Sequence, residues 1–79
     1  MARGQFLYSD DTGKQQKLVD PPNDVCQSIS GAGAAVNLTD TPAFLYGEAN
    51  CGGDPFFVVL PRAILPVPPF ESVKFATGF

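Results

Sequence analysis

The segment Phe44-Leu45-Tyr46-Gly47-Glu48-Ala49-Asn50-Cys51-Gly52-Gly53-Asp54-Pro55-Phe56-Phe57-Val58-Val59-Leu60 leaves this chain little conformational freedom. An aromatic strand, a polar turn ending in paired glycines and a second apolar strand together specify a tight β-hairpin. The opening tripeptide also occurs at Phe6-Leu7-Tyr8, where it runs into the acidic turn Ser9-Asp10-Asp11-Thr12-Gly13 and then a strand-like stretch ending at proline. The chain reads as one β unit written twice.

Eight prolines and eight glycines among 79 residues interrupt every stretch that might have formed a long helix. Apolar or alternating runs bounded by turn residues predict strands near 5–9, 15–20, 25–29 and 34–38, then near 43–47, 56–60, 63–67 and 72–76. The run 15–20 is polar enough to be an edge. Pro61, Pro66, Pro68 and Pro69 confine the third strand of the second unit to an edge as well, because proline cannot donate to a ladder. Pro21-Pro22-Asn23-Asp24 and Asp40-Thr41-Pro42 are turn chemistry, the latter joining the two units. Ser30-Gly31-Ala32-Gly33-Ala34-Ala35 reads as a loop whose backbone either moves or packs closely against something. Each unit alone exposes an apolar face, so the two pack into an all-β sandwich of two four-stranded sheets. The expected core is Phe6, Leu7, Leu18, Val25, Ile29, Val36, Leu45, Phe57, Val59, Ile64, Phe70, Val73 and Phe75.

A chain this short is one domain, spanning residues 1–79, and buries only about 60–65% of its unfolded surface. A covalent staple would therefore matter. Cys26 and Cys51 are the only cysteines; they form a bridge in an oxidising compartment or remain two small buried thiols in a reducing one. No apolar leader follows Met1, so the chain is expected to be cytoplasmic or a secreted mature form. The longest apolar run is far short of the ~20 residues of a membrane helix, which predicts a soluble protein, expected to be a monomer, with no membrane partner. A formal charge of −3 with singly spread Arg3, Lys14, Lys17, Arg62 and Lys74 offers no basic stripe for nucleic acid.

Tyr46 followed seven residues later by Gly53 resembles the aromatic-x6-Gly hairpin of the βγ-crystallin superfamily. The serine and alternation of Ser72-Val73-Lys74-Phe75 resemble that family's closing strand, with Ala34-Ala35-Val36-Asn37-Leu38 at the same place in the first unit. The resemblance implies a sandwich of two intertwined Greek keys, one over about 5–39 and one over about 42–76. Tyr8 and Gly13 stand at the equivalent place in the first key, in a hairpin two residues shorter than the signature. Among small microbial members, the chain is similar to the metalloproteinase-inhibitor and antimicrobial branches of actinobacteria and to the abundant perithecial proteins of filamentous fungi.

Many members of that family hold calcium through paired Asn or Asp residues and a hydroxyl just before each closing strand, hard oxygen ligands for a hard cation. Here those places read Ser30-Gly31-Ala32-Gly33-Ala34-Ala35 and Val67-Pro68-Pro69-Phe70-Glu71-Ser72, without the paired residues. Asn23-Asp24-Val25-Cys26-Gln27-Ser28 mimics the motif one strand too early. A calcium-independent domain, with no metal and no cofactor, is expected, with a weak calcium-binding crystallin as a further alternative.

Catalysis has few means. The chain has no histidine, which removes imidazole acid–base chemistry and the commonest zinc ligand. Asp11-Thr12-Gly13 spells the aspartic-protease triplet, but polar residues flank it and it reads as a hairpin turn. Gly31-Ala32-Gly33 opens no helix and precedes no lysine, unlike a phosphate-binding loop. Asn37-Leu38-Thr39 fits a glycosylation sequon yet falls on a predicted strand and is read as structural. The expected function is a non-enzymatic structural or stress-type protein. The alternative is a secreted inhibitor or antimicrobial protein that binds a protease or a cell-wall component. Its contact stretches would be 30–33, with Ser30, Gly31 and Gly33, and 60–69, with Arg62, Pro66 and Pro68.

Overall fold

In the computed structural model, which describes residues 2–76, the alternation of apolar and polar residues resolves into strands β1 (Gln5–Ser9), β2 (Gln15–Val19), β3 (Cys26–Gln27) and β4 (Gly31–Asn37), followed by β5 (Ala43–Tyr46), β6 (Phe57–Val59), β7 (Ile64–Phe70) and β8 (Ser72–Phe75). They form two four-stranded antiparallel sheets, one ordered β2-β1-β4-β7 and the other β3-β8-β5-β6. Each half of the chain gives its first, second and fourth strands to one sheet and its third strand to the other. Neither half can leave without stripping a strand from its partner's sheet.

The period-2 alternation of a strand turns one row of side chains from each sheet into the space between them. Phe6 and Tyr8 of β1, Ala35 of β4, and Val67 and Phe70 of β7 meet Ala43 and Leu45 of β5, Val59 of β6, and Val73 and Phe75 of β8. The Phe6 and Phe75 rings join the sheets edge to face, with centroids 5.3 Å apart, and Tyr8 contacts Phe70 in the same manner at 6.1 Å. Such offset contacts add to what aromatic burial alone contributes.

Gly31 explains why the start of β4 is so poor in side chains. A Cβ there would overlap the Ser9 carbonyl oxygen and come within 3.0 Å of Phe70 Cζ and 3.1 Å of Tyr8 Cδ2. The expected loop is therefore the beginning of a strand, and of the two readings of its small residues close packing is the one realised. Between Gly31 and Gly33 the register shifts, Gly31 facing Phe70 and Gly33 facing Val67. This bulge in β7 lets Val67 and Phe70, three residues apart, both point inward. It also carries Pro68-Pro69 inside a strand three residues longer than expected at its C-terminal end. β7 lies at an edge, where missing N–H donors cost the sheet nothing.

The core differs from the sequence expectation by parity. With Phe6 and Tyr8 turned inward, Leu7 and its pairing partner Val36 fall on the outer face, and so does Ile64, which pairs with Val36 and is 71% exposed. Val25 is likewise exposed. Their places in the core are taken by Tyr8, Val67 and the small residues Ala2, Ala35 and Ala43.

At the join between the halves lies a buried polar cluster. Asn37, with no exposed surface, donates through Nδ2 to the carbonyls of Thr41 (2.9 Å) and Val59 (2.8 Å). Its Oδ1 accepts from the Thr39 N–H (3.0 Å) and hydroxyl (2.6 Å). One amide thus ties β4 in the first sheet to β6 in the second and to the connecting turn. Replacing it with Ala strands several buried polar groups, each costing about 1–3 kcal/mol. Urea unfolding of Asn37→Ala is expected to show a loss of about 3 kcal/mol, with Leu38→Ala, at a half-exposed neighbour, close to wild type; equal stabilities for the two variants would contradict this role.

Candidate functional site

The β5–β6 hairpin curls back on itself because Asn50 (φ 59°), Cys51 (φ 55°) and Gly53 (φ 70°) all adopt left-handed conformations within four positions. Asn50 and Cys51 are the central pair of a tight left-handed turn, closed by the Gly52 N–H on the Ala49 carbonyl at 3.3 Å. Three anchors hold this curl. A disulfide joins Cys51 to Cys26 of β3, with Cα atoms 5.9 Å apart. Ser72 Oγ, fully buried at the start of β8, accepts from the Cys51 N–H at 2.8 Å and donates to the Glu48 carbonyl at 2.6 Å. The Ser28 hydroxyl donates to Asn50 Oδ1 at 3.1 Å.

Tyr46 pairs with Ser72 and shares its outward-facing row. It is buried without joining the core cluster, and Lys74 Nζ lies 5.8 Å from its ring centroid, a cation–π contact. Gly53 has the positive φ that the hairpin reading requires, but for a different reason than crowding. A Cβ at Gly53 would meet only the far end of the Glu48 side chain, Oε2 at 3.4 Å, so the constraint is the backbone dihedral itself.

The first hairpin is built differently. In the β1–β2 turn Asp10 Oδ1 accepts from the Thr12 N–H and hydroxyl and the Lys14 N–H, and Oδ2 accepts from Gln16 Nε2. The Thr12 hydroxyl foremost, then the Gln16 amide and the two backbone N–H groups, hold the Asp10 carboxyl down from 3.8 to about 2. Asp11-Thr12-Gly13 therefore sits on an exposed turn, with Gly13 at φ 86° and Asp11 accepting the Ser30 hydroxyl at 2.7 Å. Tyr8 points into the core, where burial, then the Asp10 charge, raises its phenol pKa. The two Phe-Leu-Tyr copies thus present opposite faces: Phe6 and Tyr8 are inside, whereas Leu45 alone of its tripeptide belongs to the core. A one-residue offset in a strand reverses every side chain.

The expected contact residues do not converge. Ser30 holds the first turn, Gly31 is buried in β4, Gly33 is exposed within β4, and Pro66 and Pro68 lie exposed on the β7 edge. Segments 30–35 and 67–72, the places where the family resemblance would put calcium, have their hydroxyls at Ser30 and Ser72 committed to protein groups. Asn23 and Asp24 form a turn against β8, Asp24 donating its N–H to the Phe75 carbonyl at 2.6 Å. Among the described residues no three His, Cys, Asp or Glu side chains gather into a metal-binding group.

Of the expected contact residues, Arg62 borders a cleft. It occupies the β6–β7 turn with φ 66°, its N–H donating to the Asn37 carbonyl at 2.6 Å. With Arg3, Leu38, Thr39 and Asp40 it lines a cleft of about 280 Å³. The Arg3 backbone is clamped there, its N–H donating to Asp40 Oδ1 (3.0 Å) and its carbonyl accepting from the Asp40 N–H (3.2 Å). The Arg3 N–H, then the Thr41 hydroxyl, lower the pKa of Asp40. Arg3 and Asp40 were not legible as cleft residues, since their meeting depends on pairing across 37 positions.

No family model matches this chain, and no curated protein or solved structure matches it.

Two outcomes follow from the hairpin. Gly53→Ala forces an L-residue into the left-handed region and is expected to cost about 1 kcal/mol in denaturant unfolding; an unchanged free energy would contradict the dihedral constraint. Reduction of Cys26–Cys51 frees a loop of 25-residue separation, which the chain-entropy relation values at about 3.5 kcal/mol. Unfolding midpoints that coincide with and without reductant would show that the bridge contributes nothing.

Proposed function

We propose that this chain is a non-enzymatic βγ-crystallin-like domain of two interlocked Greek keys, a compact structural or stress-type protein whose folded hairpin is closed without calcium. The carrying observation is the anchoring of the β5–β6 turn: Ser72 Oγ bridges Cys51 and Glu48, and a disulfide ties the turn to β3. Groups of the chain itself do what a cation would do at that place. The exchange of third strands between the sheets and the Tyr46–Gly53 spacing support the Greek-key reading. The lack of histidine and the placement of Asp11-Thr12-Gly13 on a solvent-facing turn support a non-catalytic role.

A second reading, a secreted inhibitor or antimicrobial protein acting on a protease or cell-wall component, is favoured by the disulfide. Such bridges persist in oxidising compartments and are rare in reduced ones. A panel of metallo- and serine proteases, together with a cell-wall pull-down, separates the two: saturable inhibition or retention supports the second, and indifference supports the first.

Ligands that bind only the folded state raise its unfolding midpoint. Thermal unfolding in chelator and in millimolar calcium is expected to give the same midpoint. A clear rise with calcium would overturn the calcium-independent reading.

A further inference from the structure

We propose that the cleft between the N-terminal segment, the turn after β4 and the turn after β6 is a binding site for an oxyanion, a carboxylate or phosphate group, gripped by Arg3 and Arg62. The inference stands on the walls of the cleft and holds under either reading of the fold's role.

The chain has only two arginines, and both line this one cleft, while none of its three lysines does. Arginine differs from lysine in presenting a planar fork of donors that matches the paired oxygens of carboxylate and phosphate. Among the described residues neither guanidinium forms an ion pair or a hydrogen bond with a protein group, although the charge of Arg3 acts on Asp40 and helps to lower its pKa, so Arg62 is the freer of the two forks. The carboxylate on the same wall, Asp40, spends Oδ1 on the Arg3 N–H and the Thr41 hydroxyl.

The backbone beneath the two exposed arginines is held. Arg62 takes up its left-handed backbone conformation while its N–H is bound to the carbonyl of Asn37, the residue at the centre of the buried polar cluster. A non-glycine residue at positive φ costs free energy and persists where its surroundings enforce it. Arg3 is fixed from the opposite side by two backbone bonds to Asp40. The backbones of both arginines are thus fixed by the fold, and their exposed side chains are what an anion would have to order.

Size and chemistry narrow the ligand. About 280 Å³ lies at the small end of ligand pockets, enough for an inorganic oxyanion, a small organic acid or one acidic side chain. Leu38, half exposed on the cleft wall, adds an apolar surface beside the arginines. A carboxylate with an aliphatic neighbour satisfies both.

The test is an amide and arginine Nε–H NMR titration of the full chain with sodium phosphate, sodium acetate and the peptide acetyl-Leu-Glu-Leu-amide, each against sodium chloride at equal ionic strength. Saturable shifts confined to residues 3, 38–40 and 62, with a Kd on the order of 1 mM or tighter, are expected for at least one oxyanion probe. Tighter binding of the peptide than of acetate assigns the site to a protein-borne carboxylate; tighter binding of phosphate assigns it to a free oxyanion. Arg62→Gln is expected to weaken binding at least tenfold, Arg62→Lys to give an intermediate loss, and Lys17→Gln, on β2, to change nothing. Thermal unfolding of each variant verifies that the fold is retained. Linear shifts that chloride reproduces, or an Arg62→Gln variant that stays folded and binds as the wild type does, would overturn the proposal.

Discussion

The amide of Asn37 is where the two halves of this protein are made into one. It leaves the first sheet at the end of β4, reaches the β6 carbonyl of Val59 in the second, and holds the connecting turn through Thr39 and Thr41. A buried amide can take this position only because all its bonding capacity toward these groups is used; an unsatisfied one would destabilise the core it sits in. The same residue presents its backbone carbonyl to Arg62 and accepts in that way the strained turn that shapes the cleft. Hydrophobic burial supplies most of the driving force for folding, but it is non-directional. The Asn37 cluster gives the sandwich its particular alignment.

Much of this architecture was legible in the chain. β1 was expected at its observed bounds, the edge positions of β2 and β7 followed from polarity and proline, and the β5–β6 hairpin followed from its apolar strands and glycines. The errors share a physical origin. Gly31 carries too little side chain to register as strand and Ala35 too little to register as core, yet the bareness of Gly31 is what admits the rings of Tyr8 and Phe70. Ile64 and Val25 are hydrophobic enough to suggest burial, but pairing turns Ile64 outward and Val25 lies before β3, outside any strand. The repeated tripeptide was the most persuasive false symmetry, since letters repeat without fixing which face of a strand they occupy.

The candidate site was only half visible. Cys26, Cys51, Tyr46 and Gly53 belong to one local structure that sequence spacing can outline. The function of Ser72 as a bridge to residues more than twenty positions away, and the meeting of Arg3 with Arg62 from opposite halves of the chain, depend on tertiary structure. No local pattern encodes such distances. The sequon at Asn37 shows the converse: a motif with a familiar chemical meaning whose amide is wholly consumed by the interior.

The exchange of third strands also governs the route by which this protein reaches its structure. β3 cannot pair until β8, nearly fifty positions later, is in place, and β7 must cross back to β4. Nonlocal pairings of this kind carry the entropy of closing long loops before any contact rewards them, which makes assembly slow compared with that of locally wired folds. The Cys26–Cys51 bridge joins β3 directly to the β5–β6 turn across 25 positions, about half the separation of β3 from β8. Once closed, it shortens the chain path that β3–β8 pairing has to span, so the covalent link also lightens the entropic cost of the longest-range pairing in the sheet it joins.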